Sequence, residues 1–210
     1  MKKNLTLRYT MQQCAYWAAA AGVVSFATAF LLEKGFAASH IGILLASGNL
    51  LSCAAQPVLA DIADRIGGNI VRWFIAGLTA VSIFCFASLQ LLPFPETVYG
   101  LIYLLGVFAF DAMNPLLNAV SVSYNRIGYK INYGVGRGIG SFAYAVSALV
   151  IGKVMAGFGA DWMIWISLGL LAINAVMSLI YPSLVTTVKE EKKENGKVIL
   201  KGRSSFDIKI

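Results

Sequence analysis

Charge is scarce in this chain: 13% of its 210 residues are Asp, Glu, Lys or Arg, against roughly 25% in an ordinary soluble domain. A surface so short of charge points to lipid rather than water as the solvent. Metal ligands are equally thin. One histidine, His40, and three cysteines, Cys14, Cys53 and Cys85, all scattered and without CxxC spacing, give no basis for a zinc site or a disulfide framework. An HExxH motif, a histidine cluster and a serine with a base beside it in an apolar run are all missing, so neither an enzyme nor a cofactor is expected. The formal net charge of +7 does not imply a nucleic-acid partner, because no basic stripe with interleaved aromatics is present.

What the chain does have is apolar length. Hydrophobic residues make up 58% of it, and mean hydropathy is +0.72. Six apolar runs stand out: 9–32, 41–60, 71–92, 98–120, 134–158 and 162–181. Each approaches the roughly 20 residues that a helix needs to cross about 30 Å of hydrocarbon. They lack the period-two alternation of a barrel strand, and a bare backbone in lipid must satisfy itself, so helices are required. The first run is too long for a signal-peptide core and has no clear small-residue cleavage site, so it reads as a retained span. The fold class expected is therefore all-α, a polytopic bundle of six transmembrane helices over residues 1–182. A mixed-charge stretch at 183–210 is too polar to order itself and reads as a cytoplasmic tail or linker.

Lys and Arg fall almost entirely on one side of this arrangement. Lys2, Lys3, Arg8, Arg65, Arg72, Arg126, Lys130, Arg137 and seven tail residues lie on one side, and only Lys34 and Lys153 on the other. The positive-inside rule then places both termini in the cytoplasm, with the protein in the cell membrane and the lipid bilayer as its first partner.

Inside a membrane the few polar residues carry the information, since a central charge costs about 3 kcal/mol on insertion scales. Asp111 lies fourteen residues after Thr97, about 20 Å along the fourth helix and past the midplane. Asn114 and Asn118 follow at helical spacing and form one polar stripe with it. Pro115 within that stripe predicts a kink. The stripe reads either as a path for solute or protons, or as neutral glue between helices. Arg137 sits in Gly134-Val-Gly-Arg-Gly-Ile-Gly. It reads either as a cation snorkelling to the cytoplasmic headgroups or as a group facing the bundle interior, there to bind an anionic or polyhydroxyl solute or pair with Asp111. The surrounding glycines form two small-xxx-small pairs, 134/138 and 136/140, suited to close helix packing. Tyr16 and Trp17 read as packing or lipid contacts in preference to a stacking surface for a solute. Asn49, Gln56 and Asn174 read as structural amides, and His40 as an interfacial cap.

Between the second and third runs stands Ala60-Asp-Ile-Ala-Asp64-Arg65-Ile-Gly67. This resembles the cytoplasmic loop motif of the major facilitator superfamily. Asp64, Arg65 and Gly67 match it, while Ala60 replaces the usual glycine, and Gly68 and Asn69 replace the basic pair. Leu32-Glu-Lys-Gly-Phe, Ser39-His-Ile-Gly, Asp111-Ala-x-Asn-Pro-x-x-Asn and Arg137-Gly-Ile-Gly are similar to the lactose-permease-like oligosaccharide:proton and nucleoside:proton symporter branch. In that branch the fourth helix supplies a carboxylate to the sugar and the fifth an arginine; Arg137 matches the arginine, and Asn118 occupies the carboxylate position.

The resemblance implies a proton-coupled transporter of a sugar or nucleoside-like solute. The chain corresponds to its amino-terminal six-helix half, one bundle of a major facilitator fold, with a second six-helix half or a homodimer partner completing it. Asp64, Arg65 and Gly67 would then be gating-loop residues. A transport-incompetent fragment and a six-helix accessory or sensor protein that binds without moving a ligand are the alternatives.

Overall fold

The structure is a computed structural model and describes residues 5–66, 68–126 and 128–181. Every regular element among them is helical: α1 (Leu5–Ala20), a π-helical turn (Ala21–Ser25), α2 (Ala27–Glu33), α3 (Ala38–Ile66), α4 (Gly68–Leu91), α5 (Glu96–Arg126), α6 (Tyr133–Phe158) and α7 (Asp161–Ile180). Five helices are long and apolar enough to cross a membrane, and the bent pair from Leu5 to Glu33 makes a sixth span when counted as one. Gly67 of the loop motif and the stretch 183–210 lie outside the described residues.

Two spans run past their apolar cores. Helix α3 continues through Asp61, Asp64 and Arg65, and α5 reaches from Glu96 to Arg126. Outside hydrocarbon the backbone keeps its hydrogen bonds, and Glu96 in the first turn with Arg126 in the last suits the helix dipole. Helix α5 runs unbroken through Pro115. Instead the first span, which contains no proline, is the broken one. Its two parts meet at 47° where the π turn inserts an extra residue, a recognised cause of bends. The Tyr103 hydroxyl donates to the Val23 carbonyl at 2.7 Å and so satisfies a backbone group within the disturbed turn.

The packing has a two-fold pattern. Helix α1 packs on α6 and α7, α5 packs on α3 and α4, and α4 packs on α7. Exchanging the first three spans with the last three maps this set onto itself, and three spans per unit give the two units opposite directions. The α4–α7 contact lies on that two-fold, and α1 and α5 are equivalent helices that each pack on two others. Their large side chains, Tyr9, Tyr103, Phe110 and Tyr124, are completely buried with Phe30 and Phe86, whereas α3 and α6 bury little.

The α1–α6 contact depends on one of the two glycine pairs. A Cβ on Gly136 would lie 2.5 Å from the Tyr9 ring, and one on Gly140 would lie 3.0 Å from the Trp17 ring. The other pair does not serve this contact: a Cβ on Gly138 would meet nothing within 4 Å. So the α6 backbone rests directly on the aromatic face of α1, and this places Arg137 over that face.

Both ends of the bundle are tied by charge. At the end holding Leu5 and Tyr181, Arg8 donates to the Ile180 carbonyl at 2.9 Å and Arg72 to the Tyr181 carbonyl at 2.7 Å, satisfying carbonyls that the end of α7 leaves open. At the opposite end Lys34 pairs with Asp161 at 2.6 Å, and both Glu33 carboxylate oxygens accept the Ala160 N–H at 3.1 Å. His40 and Glu96 meet there as well, at 3.1 Å.

Candidate functional site

A pocket of about 310 Å³ opens between α1, α5 and α6. Helix α1 and its π turn supply Tyr16, Trp17, Val24 and Ser25; α5 supplies Phe110, Asp111 and Asn114; α6 supplies Arg137, Ser141 and Tyr144. Of the residues picked out for solute or proton handling, Asp111, Asn114 and Arg137 are thus brought together. Asn118 is not part of the lining. It sits one turn further along α5, its Nδ2 reaching Asn114 Oδ1 at 3.5 Å and its own Oδ1 buried without a partner.

Arg137 turns inward rather than back toward the start of α6. Its guanidinium lies over the Trp17 ring, 3.8 Å from the centroid, and donates to Ser141 Oγ at 3.1 Å, one turn deeper in the helix. Trp17 is twelve residues into α1, about 18 Å from that helix's start. The side chain thus extends along α6 away from that helix's start. Trp17 is itself held from below: its indole N–H donates to Gln13 Oε1 at 3.0 Å, and Gln13 Nε2 donates to the Tyr9 hydroxyl at 2.7 Å. This ladder at i, i+4 and i+8 fixes the ring on which the guanidinium rests.

Asp111 stands on the other side of the same aromatic step. The Tyr16 ring stacks on Phe110, with centroids 4.5 Å apart and planes 5° from parallel, and Tyr16 meets Trp17 edge to face at 5.3 Å. Because Tyr16 and Trp17 are consecutive, Asp111 and Arg137 flank them at similar depth. Yet among the described residues no ion pair joins Asp111 to Arg137 or to any other group. The Ser52 hydroxyl of α3 interacts with the Asp111 carboxyl but closes no well-aligned hydrogen bond. Two opposite charges thus share a half-buried pocket without neutralising each other.

Ser25 and Tyr144 bridge the far wall through a hydrogen bond of 2.5 Å between their hydroxyls. Neither residue, nor Ser141, had been singled out from the sequence. The signal was available in part, since Arg137, Ser141 and Tyr144 recur at i, i+4 and i+7 on one face of α6. Trp17, read as a packing or lipid contact, packs beneath the arginine and lines the pocket. No group of three or more His, Cys, Asp or Glu that could hold a metal occurs among the described residues.

The loop motif has its own arrangement at the end of α3. Asp64 reaches across to Arg126 at the end of α5, at 3.8 Å, whereas Arg65 pairs within its own helix with Asp61 at 2.8 Å. All four are exposed. Asp64 therefore links α3 to its packing partner, and Arg65 does not.

Comparison with known proteins gives one match. The model of the MFS_1 like family covers residues 7–206, nearly the whole chain. No curated protein matches, and no solved structure matches.

Proposed function

Because the chain belongs to the MFS_1 like family, and through it to the major facilitator superfamily, we propose that it acts as a proton-coupled secondary transporter for a small polar solute. Membership of that superfamily points to a transporter rather than an enzyme, and the apolar helices make it an integral membrane protein. The observation that carries the reading is the pocket itself. It combines a carboxylate and an amide on α5 with a guanidinium on α6, in the interior where uncompensated charge is costly. Such residues are retained when they bind something that crosses.

In this reading Asp111 carries the coupling proton, and Arg137 and Asn114 hold the solute. The aromatic step of Tyr16, Trp17 and Phe110 gives it an apolar wall. The pocket is lined from three helices, and transporters of this architecture place their site between two bundles that rock about it. The bundle therefore works as the amino-terminal half of the transporting unit, against a second six-helix half or a second copy of itself. The bias of Lys and Arg supports cytoplasmic termini and the cell membrane. On that side Asp64 and Arg126 form the inter-helix contact of the gating loop, with Arg65 in support through Asp61. The resembled symporter branch makes sugars and nucleosides the first solute classes to assay.

The test is uptake of labelled solutes into proteoliposomes under an inward proton gradient, with the chain alone and with a co-expressed second bundle. Gradient-dependent accumulation in either preparation supports the reading. Binding without accumulation in both would make the protein a receptor or accessory subunit.

A further inference from the structure

We infer that the solute is a small organic acid, sugar acids included, which places its carboxylate on Arg137 while Asp111 is protonated. The inference rests on the transporter reading above and narrows it. It starts from charge balance. Arg137 and Asp111 line one pocket, neither has an ion-pair partner among the described residues, and each is only partly exposed. A neutral solute would leave both charges uncompensated in a poorly solvated site. An acid on Arg137 and one proton on Asp111 leave neither group with an unpaired charge, whereas a neutral solute leaves two separated ones.

The geometry of Arg137 suits a planar anion. Trp17 covers one face of the guanidinium, and one N–H bond goes to Ser141. Arg137 lines the pocket, and a guanidinium with N–H groups to spare takes a carboxylate through two parallel bonds. The step supporting Trp17 is rigid, because Gln13 and Tyr9 fix the ring and Gly140 lets α6 press against it.

Asp111 supplies the coupling. As a carboxylate it repels an anion in the same pocket; protonated, it becomes a hydrogen-bond donor toward it. The titratable and charged groups around it are Tyr16 of α1 and Arg137 and Tyr144 of α6, with the uncharged Ser52 on α3. The tyrosines stay neutral near pH 7, so Asp111 is the group in this pocket available to carry the coupling proton.

The experiment is binding by calorimetry to the purified full chain in detergent between pH 5.5 and 7.5, using matched pairs: glucuronate against glucose, and benzoate against benzamide. The expected result is that at least one acid binds about tenfold or more tightly than its neutral partner, and that its affinity rises as pH falls. Asp111→Asn should bind the acid with an affinity that no longer changes with pH. Arg137→Gln should lose the acid at every pH, while Arg137→Lys, which keeps the charge without the fork, should recover only part of it. Equal binding of both members of each pair, or no binding of either acid, overturns the inference. If a neutral solute binds and Arg137→Gln abolishes it, the site stands and the acid class fails. If probe binding is unchanged in both Asp111→Asn and Arg137→Gln, the pocket is not the site, and the transporter assignment of these residues fails with it.

Discussion

The ends of the bundle and its middle treat charge in opposite ways. At the ends many ionic side chains have found something to hold: Lys34 with Asp161, Asp64 with Arg126, and Arg8 and Arg72 on the last carbonyls of α7. These groups are near water, where an ion pair contributes about 0–1 kcal/mol and costs little to form or break. In the middle, Asp111 and Arg137 share a pocket and remain apart. That arrangement costs stability, and a structure keeps it where it does work. The difference separates residues that hold the helices together from residues placed to meet a ligand.

The largest effect expected is on uptake. Arg137→Gln and Asp111→Asn should each lower proton-driven accumulation by about a hundredfold or more, measured in proteoliposomes. Their thermal stability in detergent should stay level or rise, because removing an uncompensated interior charge relieves strain on the fold. A large fall in stability in either variant would turn the middle of the bundle into another structural region and erase the contrast.

Next comes the packing that presents Arg137. Gly136→Leu should destabilise the bundle by about 1–3 kcal/mol, since even a Cβ there falls 2.5 Å from the buried Tyr9 ring. Gly138→Leu, where a Cβ meets nothing within 4 Å, should be near neutral. Chemical denaturation of the two variants in mixed micelles compares them directly. A smaller loss, about 0.5–1.5 kcal/mol, is expected for Tyr103→Phe, which removes the hydroxyl that satisfies the Val23 carbonyl beside the π turn; the same unfolding measurement reads it. Smallest of all, Lys34→Gln at the end of the bundle should change stability by no more than about 1 kcal/mol and leave uptake intact.

Much of the fold was legible because hydropathy acts locally. Each span has to meet lipid by itself, so the six runs and their approximate ends could be marked without knowing their neighbours. What could not be marked depends on neighbours. Helix α5 continues unbroken through Pro115, and the break of the first span lies at Ala21–Ser25, where no proline signals it and where Tyr103 from another helix satisfies the backbone. The two glycine pairs look alike in sequence, yet only 136/140 faces α1.

The site divides in the same way. Asp111, Asn114 and Arg137 stood out because charge and amide groups are rare in apolar runs. Trp17 did not stand out, because an aromatic near a span's first third is usually packing, and its role depends on α6 lying across it. Asn118 continues the α5 stripe by spacing alone, but the pocket ends one turn earlier. Helical periodicity places residues on a face and does not say how far along that face a cavity extends.

The most direct test sets the two regions side by side in one assay. Proton-driven uptake and melting temperature are measured together for the interior variants Asp111→Asn and Arg137→Gln and for the end variants Lys34→Gln and Asp161→Asn. The account predicts that the interior pair lose uptake and keep their melting temperature, while the end pair keep uptake with at most a small loss of stability. Uptake that survives in both interior variants would contradict it.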